Sequence, residues 1–520
     1  MNLILNLIVL NEFLWPLCQG LTHRPKLGAF LETLRFVRQM RIKKNLFFGA
    51  TFFLLNLAFD PMAQADNFIA SVHEYMLPNG LTLLVRVDRR APVVMSQVWY
   101  QGGSSQERLG QTGVSHFLEH MMYQGTETFP PGELTQLIIT NGGEINASTY
   151  RDATMYSDFM PKDQLPLIFQ LESDRMQNLN FTANQFEKEK NIILDEQRLN
   201  IDDQPMGYMF QTLNYVAGMD APYNNPIIGW MGDIQQLSSQ ELMNWYHEYY
   251  APNLATVVIV GDVDPDSVYQ LAQQYFGDLK EAMPLSIKSY PLLNQTGVTH
   301  ILIKRPGGVP TLLMSFRVPS IASSQVQQVG FDLDVLRDLL GEMDSSRLQE
   351  HVVRGQSLAS YIAVYYNPMT RYNTTFTILA RPMPNVSLSQ LEGAIFDEIT
   401  RLEQNPPSDD ELARVKKYAQ SQHLYNLDSL DGQANLLGRL NSIGLPWQLS
   451  SDYLLALDSV TRDDLVSTLQ LYFNQDNLVD AELMPVGDFS DQAPPMISPA
   501  LSSSRKVALM NNSEIGEVLL

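Results

Sequence analysis

The chain repeats itself weakly, and that repetition constrains its fold more than any other feature. "YYAPNLATVVIVGD" (249–262) is matched by "YFNQDNLVDAELMPVGD" (472–488), and "PVVMSQV" (92–98) by "PTLLMSF" (310–316). A helix-opening cap after Thr182 has its counterpart at Ser408-Asp-Asp-Glu411. The matches come in the same order, as expected of two related α+β halves, each an antiparallel sheet with flanking helices. The expected layout is a first domain over 66–280, a linker over 281–296, a second domain over 297–490 and a flexible tail over 491–520. The tail reading rests on "QAPPMISPALSSSRK", rich in proline and serine.

The first half alternates strand and helix signals. Pro78-Asn79-Gly80 reads as a hairpin turn ahead of a strand from Leu81 to Val87, and a second strand runs from Pro92 to Tyr100. Gly142-Gly143 leads into a short strand near Ile145 to Ser148, followed by another from Ala153 to Phe159. Thr182 with Gln185, and Ser238 with Glu241, are capping boxes that open helices. An apolar strand, Ala255 to Gly261, and a helix from Pro265 to Phe276 complete the half.

Residues 1–65 have a different character. Met40 is followed by Arg41, Lys43 and Lys44, an apolar run from Leu46 to Phe59, and Ala63-Gln64-Ala65. This is the pattern of a secretory signal over 40–65, too short for a membrane span of about 20 residues. Met40 is then the expected start, 1–39 an upstream mis-start, and the exported protein periplasmic or secreted, with no lasting membrane insertion. Without residues 1–65, 28 basic residues face 54 acidic ones, a net charge of -26. Such a chain repels nucleic acid and anionic membrane surfaces. Cys18, the one cysteine, is lost with the signal, so any metal must rest on histidine and carboxylate.

Two of the 8 histidines fall in "SHFLEHMMYQGT" (115–126). On a helix, His116 and His120 stand one turn apart, about 6 Å, and can grip one zinc ion. Glu119 lies beside them, placed to take a proton from a water activated there. The order H-x-x-E-H inverts the commoner zinc-peptidase motif. A third protein ligand is needed, and spacing leaves Glu144, Glu172, Asp174, Glu187, Glu189, Asp195 and Glu196 as candidates. Glu189 and Glu196 stand seven apart, on a helical face shared with Ile192 and Ile193. Carboxylates on an apolar face are usually paired or metal-bound. In the second half the positions equivalent to Glu189 and Glu196 are Val415 and Gln422, and no H-x-x-E-H occurs there. His247, in "WYHEYY", is expected to pack among aromatics, whereas His73, His300, His351 and His423 have no ligand spacing.

Across 68–488 the chain resembles the pitrilysin–insulinase family of zinc peptidases, in its processing-peptidase-like branch. "GVSHFLEHMMYQGTETFP", "NGGEINASTYRDATMY", "LESDRMQNLNF", "EKEKNIILDE" and "YYAPNLATVVIVGDVDP" carry the resemblance. It implies one zinc per chain on His116, His120 and Glu196, with Glu119 as general base and Glu189 as a supporting acidic residue. It also implies two halves closing as a clamshell around a chamber, and an edge strand at Asn146 and Ala147 where an extended peptide adds as a further strand. In the second half "RGQSLASY" sets Arg354 seven residues before Tyr361, matching a family pair that reaches the substrate from across the cleft. The implied activity is endopeptidase cleavage of peptides or unfolded segments. A homodimer, or a heterodimer with a related subunit, is the partner the resemblance allows. The alternative is a non-catalytic partner or scaffold subunit, and against it stand the complete H-x-x-E-H and both glutamates.

Overall fold

The computed structural model describes residues 71–218, 222–284, 290, 295 and 297–486. The signal reading over 40–65, the segment 1–39, the tail and most of the linker lie outside the described residues. No helix among the described residues is long and apolar enough to cross a membrane.

Among the described residues eleven strands form two sheets. The first holds β1 (Val72–Met76), β2 (Thr82–Val87), β3 (Val93–Tyr100), β4 (Glu144–Thr149), β5 (Thr154–Pro161) and β6 (Ala255–Gly261), in the order β1-β2-β6-β3-β5-β4. The second holds β7 (Thr299–Arg305), β8 (Thr311–Val318), β9 (Ala359–Tyr365), β10 (Thr374–Pro382) and β11 (Leu478–Pro485), in the order β7-β11-β8-β10-β9. The duplicated sequences occupy equivalent places: β6 lies parallel to β2 and antiparallel to β3, and β11 lies parallel to β7 and antiparallel to β8. Within both sheets the pairing is otherwise antiparallel. β6 is buried along its whole length, which explains its unbroken apolar run.

Each sheet packs one face on its own helices. Leu83, Val85, Val94, Val98, Val257 and Ile259 join Phe117, Ile168 and Phe276 in the first core. Leu312, Met314, Phe316 and Ile378 join Leu391, Ile395 and Leu469 in the second. The opposite faces are covered by exchange. A helix at Leu430–Ser442, in the second half, sets Ala434 and Leu437 on Leu84, Met95, Trp99, Val258 and Val260 of the first sheet. A helix at Pro205–Ala217, in the first half, sets Met209, Phe210 and Leu213 on Ile303, Leu313, Leu379 and Leu483 of the second. Polar links edge the first of these contacts. Gln97 donates to Asp431 (3.0 Å) and Asn441 to Thr256 (2.8 Å). A split of the chain at the linker therefore strips an apolar face from both sheets, so neither half is a closed structure alone.

The close approach at Gly438 tests this exchange. A Cβ there would fall 2.1 Å from Trp99 Nε1 and 2.4 Å from Cδ1. Gly438→Ala is expected to destabilise the protein by about 1–3 kcal/mol, the usual range for overpacking a filled interior. Denaturant unfolding reads it, and a midpoint equal to the parent's would contradict the packing.

Candidate metal centre

The helix at Val114–Met121, here α1, buries Val114, Phe117, Leu118 and Met121. Those are positions i, i+3, i+4 and i+7, so His116, Glu119 and His120 share the half-buried opposite side. The helix starts at Gly113, whose φ of +84° is left-handed and whose Cβ would meet the Ile228 carbonyl at 2.4 Å, so glycine is required. Glu107 holds this end: its carboxylate accepts from the Gly113 N–H (2.7 Å), the Ser115 N–H (2.9 Å) and the Ser115 hydroxyl. A carboxylate at a helix N-terminus satisfies free donors and opposes the dipole.

A second helix, α2 (Ala183–Gln197), opens on the Thr182–Gln185 capping box and brings Glu189 and Glu196 to α1. Phe117 stacks on Phe186 at 4.8 Å between the two helices. Ile193 is buried beside Glu189, while Ile192 is 43% exposed, so the shared apolar face is narrower than its sequence suggests.

One ligand atom each from His116, His120 and Glu196 lies within 4.8 Å of the other two. Glu196 Oε2 is 3.9 Å from His116 Nε2 and 3.7 Å from His120 Nε2. These separations are too long for hydrogen bonds. They are near the ~3.4 Å between donor atoms that each sit 2.0–2.2 Å from one tetrahedral zinc. The donor set of two imidazole nitrogens and one carboxylate is that of a catalytic zinc site, and the residues fit the ion. Burial and the neighbouring His120 hold His116 down at about 3, which keeps its imidazole neutral, as a ligand must be.

Burial pulls His120 down as well, but the Glu189 hydrogen bond and the charges of Glu119, Glu196 and Glu189 outweigh it and raise its pKa. Its Nδ1 faces Glu189 Oε2 at 3.4 Å, and Gln124 donates to Glu189 Oε1 at 2.8 Å. With Nδ1 protonated toward Glu189, the Nε2 lone pair faces Glu196. Burial raises the Glu119 carboxyl, against the hydroxyl of Thr149, which donates to Oε2 at 2.6 Å. Burial also raises Glu196, against the attraction of His120. Thr149, Gln124 and Glu107 were not singled out by spacing, because each acts from a different element. Thr149 lies on the strand already suspected of meeting substrate.

The other candidate ligands are engaged elsewhere or lie apart. Glu172 pairs with Arg175, Asp174 accepts from Thr126 and Thr128, Glu187 pairs with Lys190 and Asp195 with Arg198. Glu144 is exposed on β4. Asn146, exposed, and Ala147, half-buried, lie on β4, the outermost strand of its sheet. Arg354 lies in a π-helical turn, Gln349–Gly355, where it donates to the Asp344 carbonyl (2.5 Å) and approaches Glu350 (3.9 Å). Tyr361 is 47% exposed on β9, the outermost strand of the second sheet, beneath the Arg381 guanidinium (5.6 Å). Among the described residues no hydrogen bond or ion pair joins Arg354 or Tyr361 to the metal centre. His247 corrects an expectation: its ring leans on Tyr246 at 5.2 Å but is exposed, because it points off the buried face formed by Leu242, Trp245, Tyr246 and Tyr249.

Comparison with known proteins gives a consistent picture. Residues 83–229 match the family model described as insulinase (peptidase family M16), and 236–418 match that of the peptidase M16 inactive domain. The chain is 28% identical over 431 residues to the zinc protease PqqE of Helicobacter pylori, covering 81% of this chain and 95% of that protein. It is 26% identical over 412 residues to the mitochondrial-processing peptidase subunit beta of Lentinula edodes, covering 76% and 86%. Among solved structures, a protease from Helicobacter pylori superposes with a TM-score of 0.74 at 26% identity, covering 80% of this chain and 99% of that one. A peptidase M16 inactive domain from Pseudomonas fluorescens, at 18% identity and a TM-score of 0.71, shares the fold.

Proposed function

The chain belongs to the insulinase family, peptidase family M16, and on that premise we propose that it is a zinc-dependent endopeptidase acting on peptides or unfolded protein segments. The convergence of His116 Nε2, His120 Nε2 and Glu196 Oε2 on one point, with the Glu119 carboxylate beside it, carries this reading. Zinc, when bound, supplies Lewis acidity toward the scissile carbonyl and toward water.

The remaining work falls to side chains. Glu119 takes the proton of the attacking water and returns it to the leaving amine. Burial raises its pKa, which suits a group that must both accept and release a proton near neutrality. Thr149 holds Oε2, leaving Oε1 for the water. Glu189 fixes the tautomer and orientation of His120, held in turn by Gln124. β4 offers a free strand edge at Asn146 and Ala147, on which an extended peptide can pair through its backbone. Since Thr149 ends that strand, a peptide paired along it is led toward Glu119. We assign Arg354 and Tyr361 to substrate contact from the second half. Both are exposed, and Arg354 carries further N–H donors, beside the one given to the Asp344 carbonyl, that can meet a substrate carbonyl.

A peptide-library cleavage profile, with products mapped by mass and a length series included, tests the reading. Internal cleavage of peptides several residues long is expected. Hydrolysis confined to single-residue amides or esters would overturn it. For location, the proposal is export with a mature N-terminus at Asp66, following Ala63-Gln64-Ala65. N-terminal sequencing of the exported protein checks this, and an N-terminus within 1–39 would refute it.

A further inference from the structure

Two hairpins, one from each half, meet at their turns. β4 and β5 are joined through Tyr150–Ala153, and β9 and β10 through 366–373. β4 and β9 are the outermost strands of their sheets, so the meeting point joins the two sheet edges. Asp152 sits there, 5% exposed. Its Oδ1 accepts from the Ser105 hydroxyl at 3.0 Å. Its Oδ2 accepts from the Tyr223 hydroxyl at 2.5 Å and from the backbone N–H of Arg371 at 3.0 Å. The Tyr223 hydroxyl accepts in turn from the backbone N–H of Tyr372 at 3.1 Å.

Consecutive backbone donors of the second half are thus held by one carboxylate and one phenol of the first. Tyr223 and Tyr372 also meet edge to face at 5.6 Å, and Tyr290 of the linker meets Tyr372 edge to face at 5.2 Å. The same turn is gripped a second time. Tyr150 stacks on Trp99 at 5.5 Å, and Arg439 from the exchanged helix lies 5.4 Å over the Tyr150 ring. The Arg371 guanidinium donates to the Ser442 carbonyl at the end of that helix.

An aspartate in a hairpin turn is ordinarily solvated. A buried carboxylate is unfavourable unless each oxygen is bonded, and here both are. The arrangement is therefore a built joint. Three residues before Asp152, Thr149 donates to Glu119, so the strand between joint and general base is short.

We propose that Asp152 is a positioning residue that fixes the spacing of the edge strands β4 and β9, and so governs how substrates long enough to reach both halves are held. This rests on the reading of β4 as the strand that receives the peptide. Substrates confined to β4 do not depend on the joint.

The test compares zinc-loaded full-length parent with Tyr223→Phe, which removes only the bridging hydroxyl, Asp152→Asn, which keeps the side-chain shape, and Ser105→Ala, which removes a bond internal to the first half. Backbone hydrogen exchange gives a readout independent of turnover. Tyr223→Phe is expected to accelerate exchange at 150–153 and at 366–373 together, while α1 and α2 and the zinc content stay as in the parent. Ser105→Ala should leave 366–373 unchanged. In kinetics, Tyr223→Phe is expected to raise KM about tenfold for a peptide of roughly a dozen residues, the effect of losing one hydrogen bond to a charged group. KM for a tetrapeptide reporter and kcat for both should stay within about twofold, and Asp152→Asn should fall between parent and Tyr223→Phe. Faster exchange at one hairpin alone, no change at either, or equal KM shifts for both lengths would overturn the joint. A parent that cleaves neither peptide would refute the peptidase reading, and the exchange result alone would then support or overturn the joint.

Discussion

Replacing Glu119 by Gln is expected to lower kcat on a good peptide by roughly 10²–10⁴-fold, the usual worth of a positioned general base. Zinc should stay bound, because Glu119 is not among the three residues whose donor atoms converge. The substitution is close to isosteric. The Gln carbonyl oxygen can still accept from Thr149, so the lesion is the loss of a proton acceptor and not of the local fold. Steady-state kinetics with metal analysis on the same preparation separates the two effects. A Glu119→Gln protein that lost its zinc, or that turned over within about tenfold of the parent, would contradict the role.

The second large effect is on stability. Arg175 has no exposed surface and binds Glu172 through Nη2 (2.6 Å) and Nε (2.9 Å). Its guanidinium lies 4.2 Å over Tyr156 and 5.6 Å from Tyr123. Burial and the nearby Glu172 hold the Asp158 carboxyl well above the usual carboxylate range, so this interior has no charge to spare. Arg175→Met leaves the buried Glu172 without its cation and should cost about 3–5 kcal/mol of folding free energy. A lower denaturant midpoint at the parent's slope reads it. Adding Glu172→Leu should recover most of the loss, since apolar replacement of a whole buried pair is often near neutral. A single variant as stable as the parent would show the pair to be dispensable.

How much of this was legible in the sequence follows from where each partner lies. His116, Glu119 and His120 share one helical turn, and i, i+4 spacing alone places two imidazoles together. The duplication was readable because β6 and β11 both lie inside their sheets, between one parallel and one antiparallel neighbour, and the buried positions they share survive as sequence likeness. Glu196 came only from resemblance, since it reaches the site from a separate helix and spacing cannot choose among seven carboxylates. Periodicity favoured Glu189 and Glu196 together, and the two do different things: Glu189 faces Nδ1 of His120, Glu196 faces Nε2 of both histidines. The Asp152 joint and the exchanged helices join residues distant in sequence, and no local pattern marks such partners; the Glu172–Arg175 pair is local, at i, i+3, but its spacing does not tell that it is buried. His247 misled because "WYHEYY" is aromatic in composition, while the helical period turns that one position outward.

Zinc titration of the metal-free protein against cleavage of one extended peptide tests the central claim most directly. Treatment with chelator should abolish cleavage, and activity should return linearly and level off at one zinc per chain, as a single set of three converging donors requires. Cleavage that survives complete removal of zinc, or a protein holding one zinc on these residues that cleaves no peptide, would contradict it.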